Sequence, residues 1–259
     1  MRQESISSEI FCLRYELNAM SDSLLRGKLE RWVHGYTPHQ TEKAHLDRYN
    51  FICQFTENKR VLDIACGSGF GSFILAEYGK AENVIGVDLD SDSIKYGNLK
   101  YPHPKIMRVV SDATAFQGDY KFDVICCFET IEHIKNYDVL LIKLKSLLST
   151  EGRLFISTPI ATKTTISPAN PYHLIEWNFW DFQELVKKYF FVESVYTQNI
   201  SRKPKFFQKL LTISIRIFGV KRKMKNKNIS SLNKSVSLLD RSISMDDYEG
   251  GYQILVLKK

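Results

Sequence analysis

Two glutamates and a histidine stand together in 129-ETIEH-133, directly after an apolar run, 122-FDVICC-127, that reads as a buried strand. Glu129, Glu132 and His133 fall at i, i+3 and i+4, a spacing that puts all three on one face of a helix. Downstream, 173-HLIEW-177 supplies His173 in a loop beyond the next strand. Three uses of this set stand open on the sequence. Glu129, Glu132, His133 and His173 can together hold a divalent cation such as Mg2+ or Mn2+. His133 can act as a general base on a hydroxyl, and with Glu132 and His173 it forms the candidate catalytic set. Or the glutamates only shape a pocket and cap backbone groups.

Such residues need a scaffold, and the surrounding pattern supplies one. From Arg60 onward short apolar runs alternate with helical stretches: 61-VLDIA-65, 84-VIGVD-88, 106-IMRVV-110, 122-FDVICC-127 and 153-RLFIST-158. Each is apolar on both faces, as buried parallel strands are. Helices are predicted over 69–78, 90–99 and 136–148, so the region reads as βαβ units wound on a single sheet. Beyond the fifth strand, 177–190 reads as a helix, 191–198 as a sixth strand and 252–259 as a seventh, with Gly250 and Gly251 marking an antiparallel return. Residues 1–56 read as a helical extension of the same domain, with helices over 21–32 and 41–55 and Thr41 as N-cap of the second. Residues 57–259 form the main domain, with an insertion over 201–246.

The stretch 61-VLDIACGSGFGS-72 runs a strand into glycines at 67, 69 and 71 and then a helix. Glycines at such a turn let the backbone reach positive φ and approach a ligand closely. Dinucleotide-binding folds open the same way, but their fingerprint is GxGxxG or GxGxxA, whereas the spacing here is GxGxG with Ser72 following. In 84-VIGVDLD-90, Asp88 closes the second strand, where a carboxylate can accept from both hydroxyls of a ribose. The other role for Asp88 is a helix N-cap, for which Asp90 and Ser91 compete.

Taken in order, DIACGSGFG, GVDLD, SDAT after the third strand and FDVICCFETIEHI resemble the successive motifs of class I S-adenosylmethionine-dependent methyltransferases, over about residues 40–200 and the last strand. That resemblance implies S-adenosylmethionine as cofactor. It also implies an α/β fold with a seven-stranded Rossmann-like sheet of order 3-2-1-4-5-7-6, strand seven antiparallel. By it, Asp63, Gly67 and Gly69 line the methionine part of the cofactor and Asp88 holds the ribose. Leu89 packs against adenine, Asp112 meets the adenine amino group with Ala113 beside it, and Phe128 closes the pocket. ExxEH followed by HxxEW is similar to two branches. One comprises O-methyltransferases of ubiquinone biosynthesis and relatives from polysaccharide gene clusters, which implies a sugar, glycan or lipid-linked acceptor. The other comprises small-RNA 3′-end 2′-O-methyltransferases, whose four side chains bind a metal. A cofactor-binding scaffold without catalysis is a third reading. The stretch 30-ERWVHGYTPHQTEKAHLDRY-49 resembles the leader of the glycan branch, which would put Arg48 and Tyr49 on the cofactor carboxylate. Without the resemblance it reads as a solvated amphipathic helix.

Composition bounds the rest. With 259 residues, 44% hydrophobic and 25% charged, the chain is that of a globular protein with one core. Cysteines at 12, 53, 66, 126 and 127 show no CxxC, which predicts free thiols in a reducing, cytoplasmic setting. The first ten residues lack the apolar core of a signal peptide. The net charge of +7 is concentrated: between Ser201 and Asn228 lie ten Lys or Arg and no acid. Residues 204–223 combine that charge with apolar residues. Three partners suit them: an anionic surface at the inner face of a membrane, a cap or second copy of the chain, and nucleic acid. Against the last, 221-KRKMKNKN-228 lacks interleaved aromatics. Residues 226–246, rich in Ser, Asn and Lys, read as a loop.

Overall fold

Successive side chains of a strand point to opposite faces of its sheet, so runs apolar throughout need cover on both faces. In the computed structural model, which describes residues 16–24, 33–202, 236–239, 245 and 248–259, that sheet has eight strands. They are β1 (Arg60–Ile64), β2 (Asn83–Asp88), β3 (Ile106–Val110), β4 (Phe122–Phe128), β5 (Leu148–Pro159), β6 (Phe191–Gln198), β8 (Val236–Leu238) and β10 (Tyr252–Lys258). A separate two-stranded ribbon joins β7 (Ser201–Arg202) to β9 (Tyr248–Glu249). The order in the large sheet is β3-β2-β1-β4-β5-β10-β6-β8. The first five are parallel neighbours, and β10 lies antiparallel between β5 and β6.

The helices are α1 (16–24), α2 (His39–Cys53), α3 (Phe70–Glu77), α4 (Ser91–Lys100), α5 (Tyr137–Leu147) and α6 (Phe179–Lys187). Leu62, Ile64, Ile125 and Ile156 point to one face and pack with Leu140 and Leu144 of α5 and Phe182 of α6. Val61, Val124, Cys126 and Phe155 point to the other and pack with Ile52 of α2 and Ile74 of α3. Asp90 caps α4 by accepting from Ser93 N–H, and Asn178 caps α6 by accepting from Trp180 and Asp181 N–H.

Three expectations are corrected. The sheet has eight strands rather than seven, because β8 adds to the open edge of β6. This piece of the Ser/Asn/Lys-rich stretch is not loop: Val236 is buried against the α2-side core while Leu238 stays exposed. Helix α2 starts at His39, behind Pro38, and Thr41 lies inside its first turn rather than at its cap. Proline suits a helix entry because its missing N–H would have no partner there. The third concerns the ETIEH segment and belongs to the site. The amphipathic stretch 204–223 and the helix expected over 25–32 lie outside the described residues. Among the described residues no helix is long and apolar enough to cross a membrane.

Under the glycine turn lies a buried knot that fixes α2 to the first βαβ unit. The Tyr49 ring of α2 lies on Gly71, where an added Cβ would sit 2.0 Å from its Cζ. Tyr49 Oη donates to Asp63 Oδ1 at 3.0 Å, and Ser72 Oγ donates to Asp63 Oδ2 at 2.6 Å. Asp63 is 1% exposed, and burial, outweighing these hydrogen bonds, raises its carboxyl to about 6.

Two predictions follow from the knot. Gly71→Ala overpacks the contact and should lower unfolding free energy by about 1–3 kcal/mol in urea; a change below about 0.5 kcal/mol would show that Tyr49 moves aside freely. An ordinary aspartate titrates near 4, so the folded chain keeps the Asp63 proton over a range where the unfolded chain has lost it. Stability from this group is therefore full at low pH and lost as pH rises to about 6, an effect of about 2–3 kcal/mol. Asp63→Asn should flatten stability between about pH 4 and 6 relative to wild type, and parallel pH curves for the two proteins would refute the assignment.

Candidate functional site

The carboxyl ends of β1 to β5 surround a cavity of about 690 Å3. This is where open α/β sheets place ligands. The glycine turn, which carries three left-handed residues, Ala65 (φ 57°), Gly67 (φ 53°) and Gly69 (φ 78°), lies at its floor. Ala65 and Gly67 line the cavity, and a Cβ on Gly67 would meet nothing within 4 Å. Gly69 does not line it. An added Cβ there would lie 2.5 Å from Arg108 Nε, because the Arg108 guanidinium donates to the carbonyls of Gly69 (3.2 Å) and Tyr101 (3.0 Å). Asp63 is absent from the lining as well, since Tyr49 and Ser72 hold it below the floor. Arg108 gave no signal in sequence, as a lone basic residue in a strand reads as an edge or surface position.

Asp88 lines the cavity at the end of β2. Its Oδ2 accepts from Gly67 N–H at 2.7 Å and its Oδ1 from Asp90 N–H at 2.9 Å. One carboxylate thus sets the glycine turn, and Asp90 performs the capping. Leu89, 67% exposed, lines the cavity beside it, as do Asp112 and Ala113 after β3. Thr114 donates to Asp112 Oδ1 from both its N–H (2.7 Å) and hydroxyl (2.6 Å), which holds the Asp112 carboxyl below its usual range. Phe128, at the end of β4, lines the cavity and meets the Tyr49 ring edge to face.

The ETIEH residues do not share a helical face. Glu129 adopts φ 48°, which reverses the chain before a single 3-10 turn at Ile131–His133. Glu129 lines the cavity and is drawn toward β5 and α2: Ser157 Oγ donates to its Oε1 at 2.6 Å, and Arg48 Nη1 lies 3.7 Å from the same oxygen. Glu132 does not line the cavity and is fully buried. Neither of its carboxylate oxygens has a hydrogen-bond partner among the described residues. Burial, aided by the Glu129 charge, pushes its carboxyl well above the usual range.

His133 and His173 both line the cavity, edge to face with centroids 4.8 Å apart. His133 Nδ1 donates to the Tyr172 carbonyl at 2.9 Å, which makes Nε2 its basic nitrogen. His173 Nδ1 pairs with Glu176 Oε1 at 2.6 Å and its Nε2 with Asn170 Nδ2 at 3.0 Å. Donor atoms of Glu132, His133 and His173 lie within 4.8 Å of one another, and Glu129 stands outside that cluster.

Helix α2 contributes Thr41, His45 and Tyr49 to the cavity at four-residue spacing. Burial and the Arg48 charge lower the His45 pKa well below that of a free imidazole, which keeps it neutral. This polar stripe was readable as an i, i+4, i+8 pattern, but the charged residues between hid it. Arg48 is 1% exposed and does not line the cavity. It donates to Gln198 Oε1 at 2.8 Å and lies over the Tyr252 ring.

Comparison with known proteins agrees with this architecture. A family model described as a methyltransferase domain matches residues 33–197. The (S)-coclaurine N-methyltransferase of Papaver somniferum is 30% identical over 141 residues, covering 53% of this chain and 40% of that protein. The ubiquinone biosynthesis O-methyltransferase of Actinobacillus pleuropneumoniae serotype 7 (strain AP76) is 33% identical over 109 residues, covering 39% and 45%. The chain thus matches about half the length of these relatives or less. The crystal structure of coclaurine N-methyltransferase bound to N-methylheliamine and SAH superimposes with a TM-score of 0.54 at 15% identity, covering 94% of this chain and 78% of that one. That likeness speaks to fold alone. The family match spans well over half of the chain, from the turn before α2 to the end of β6, and the chain belongs to the methyltransferase-domain family.

Proposed function

We propose that this chain is an S-adenosylmethionine-dependent methyltransferase that methylates a hydroxyl of a sugar, glycan or lipid-linked intermediate. The observation that carries the cofactor is Asp88: a carboxylate in the cavity wall, tied to the Gly67 turn, with Leu89 and Asp112 beside it. These groups suit a ribose and an adenine. Gly67, open to the cavity, admits a methionine tail past the turn.

The acceptor reading rests on His133. The sulfonium already activates the methyl group, so the protein's work is alignment and removal of the acceptor proton. As the methyl passes to the acceptor oxygen, the C–S bond breaks and S-adenosylhomocysteine leaves as a neutral thioether. The hydroxyl proton passes to His133 Nε2, and the imidazolium is steadied by its Nδ1–H on the Tyr172 carbonyl. Around this point the cavity mixes Lys135, Asn136 and Asn170 with the half-exposed Tyr172 and Leu174, a lining suited to a polar group on an apolar carrier. The basic residues of 204–223 support placement at the inner face of an anionic membrane.

One observation favours a second reading, a metal-assisted methyltransferase of the RNA 2′-O type. Glu132, His133 and His173 cluster, and the unpartnered Glu132 carboxyl oxygens fit a divalent cation. Such an ion would polarise the acceptor hydroxyl. The partners already held by both His173 nitrogens weigh against it.

Calorimetric titration with S-adenosylmethionine tests the main reading. Asp88→Ala should weaken binding about 10- to 100-fold; equal binding by wild type and variant would remove Asp88 from the site, and no binding by wild type would overturn the function. His133→Ala should keep cofactor affinity and lower kcat about 100- to 10,000-fold, with loss of the acid limb of the pH–rate profile. Mn2+ heat that vanishes in Glu132→Ala, together with salt-sensitive RNA binding, would favour the second reading, and absence of both would exclude it.

A further inference from the structure

Resting on the S-adenosylmethionine reading, the order of the strands gives the ligand a direction. Asp112 follows β3, Asp88 ends β2, the Gly67 turn follows β1 and Glu129 follows β4, and these strands are neighbours in that sequence. With adenine at Asp112 and ribose at Asp88, the amino-acid tail runs over β1 toward β4. The whole path crosses three strand spacings, roughly 14 Å. The tail carries an ammonium group, and an ammonium removed from water requires an anion.

Three carboxylates line the cavity among the described residues: Asp88, Asp112 and Glu129. The first two stand at the nucleoside end. Asp63, which the motif resemblance puts on the methionine tail, is below the floor with both oxygens engaged. Its carboxyl, raised to about 6, is a poorer anion than an ordinary carboxylate near neutral pH.

We infer that Glu129 is the residue that binds the ammonium of the cofactor, as part of the cofactor site rather than of a metal site. Three features preorganise it. Its left-handed backbone, uncommon for a residue with a Cβ, turns the side chain off the helical path that Ile131–His133 follows. Its own N–H donates to Ser157 Oγ at 3.2 Å, and that hydroxyl donates back to Oε1 at 2.6 Å. Arg48 Nη1, 3.7 Å from Oε1, holds that side of the carboxylate toward α2. Both contacts fall on Oε1, which leaves Oε2 to accept from a ligand.

The test compares two neutral-sulfur ligands by calorimetry, S-adenosylhomocysteine and 5′-methylthioadenosine, which differ by the amino-acid tail. Glu129→Gln should weaken S-adenosylhomocysteine about 10- to 100-fold and change 5′-methylthioadenosine less than about 2-fold. Ser157→Ala, which removes only the anchor, should show the same selectivity at a smaller loss, about 3- to 10-fold. The retained 5′-methylthioadenosine affinity reports that each variant is folded. Unchanged affinity for both ligands in Glu129→Gln, or an equal loss for both, overturns the inference while leaving the cofactor reading intact. Wild type binding neither ligand overturns both.

Discussion

The site depends on one contact between elements that are far apart in role: the Tyr49 ring of α2 lying on Gly71 with its hydroxyl on Asp63. A glycine turn alone is conformationally permissive. Pressed from one side by Tyr49 and gripped from the other by Arg108 on the Gly69 carbonyl, it has a single shape. Asp88 completes the fixing from the cavity side through Gly67 N–H. The glycines therefore serve three distinct purposes. Gly67 leaves open space for a ligand, Gly69 makes room for a guanidinium, and Gly71 makes room for a ring.

How much of this was legible follows from which forces acted locally. The strands, and Asp88 at the close of the second, could be read because alternation and turn chemistry are local properties of the chain; the strand order and the placing of Leu89, Asp112 and Ala113 came from the motif resemblance. The fates of Asp63 and Glu129 could not be read. Asp63 is taken out of the cavity by Tyr49, a residue from another element, and no spacing rule encodes that capture. Glu129 was placed with Glu132 by helical periodicity, and the single left-handed residue at the end of β4 separated them. Strand β8 was missed for a similar reason: it is three residues, Val236–Leu238, inside a Ser-, Asn- and Lys-rich stretch, and its partner is the distant edge of β6.

Buried polarity is unevenly distributed over the sheet. On the α2 side, Arg48 joins Gln198 and Glu129 and stacks on Tyr252, and Gln198 donates in turn to the Ala44 carbonyl. On the opposite face, the Glu132 oxygens, Thr158 Oγ1 and the Gln253 amide lack partners among the described residues, and Thr158 and Gln253 sit opposite each other in the β5–β10 register. Unsatisfied buried groups cost free energy. The α2 side is not free of this cost either, since Arg48 Nε is buried without a partner among the described residues.

The placement of β10 has a consequence for how the molecule is made. Strands β5 and β6 do not touch each other in the sheet; each pairs with β10, which comes after both in chain order, beyond β7, β8, β9 and the basic insertion. During synthesis, at roughly 5–20 residues per second, two strand edges that will end up in the interior must wait unpaired while the intervening chain is extruded. Tyr252, the first residue of β10, also forms part of the cavity wall. A nascent chain can therefore hold every other part of the cavity lining while the Tyr252 wall is still unbuilt, so the parts of the site are ordered in time as well as in space.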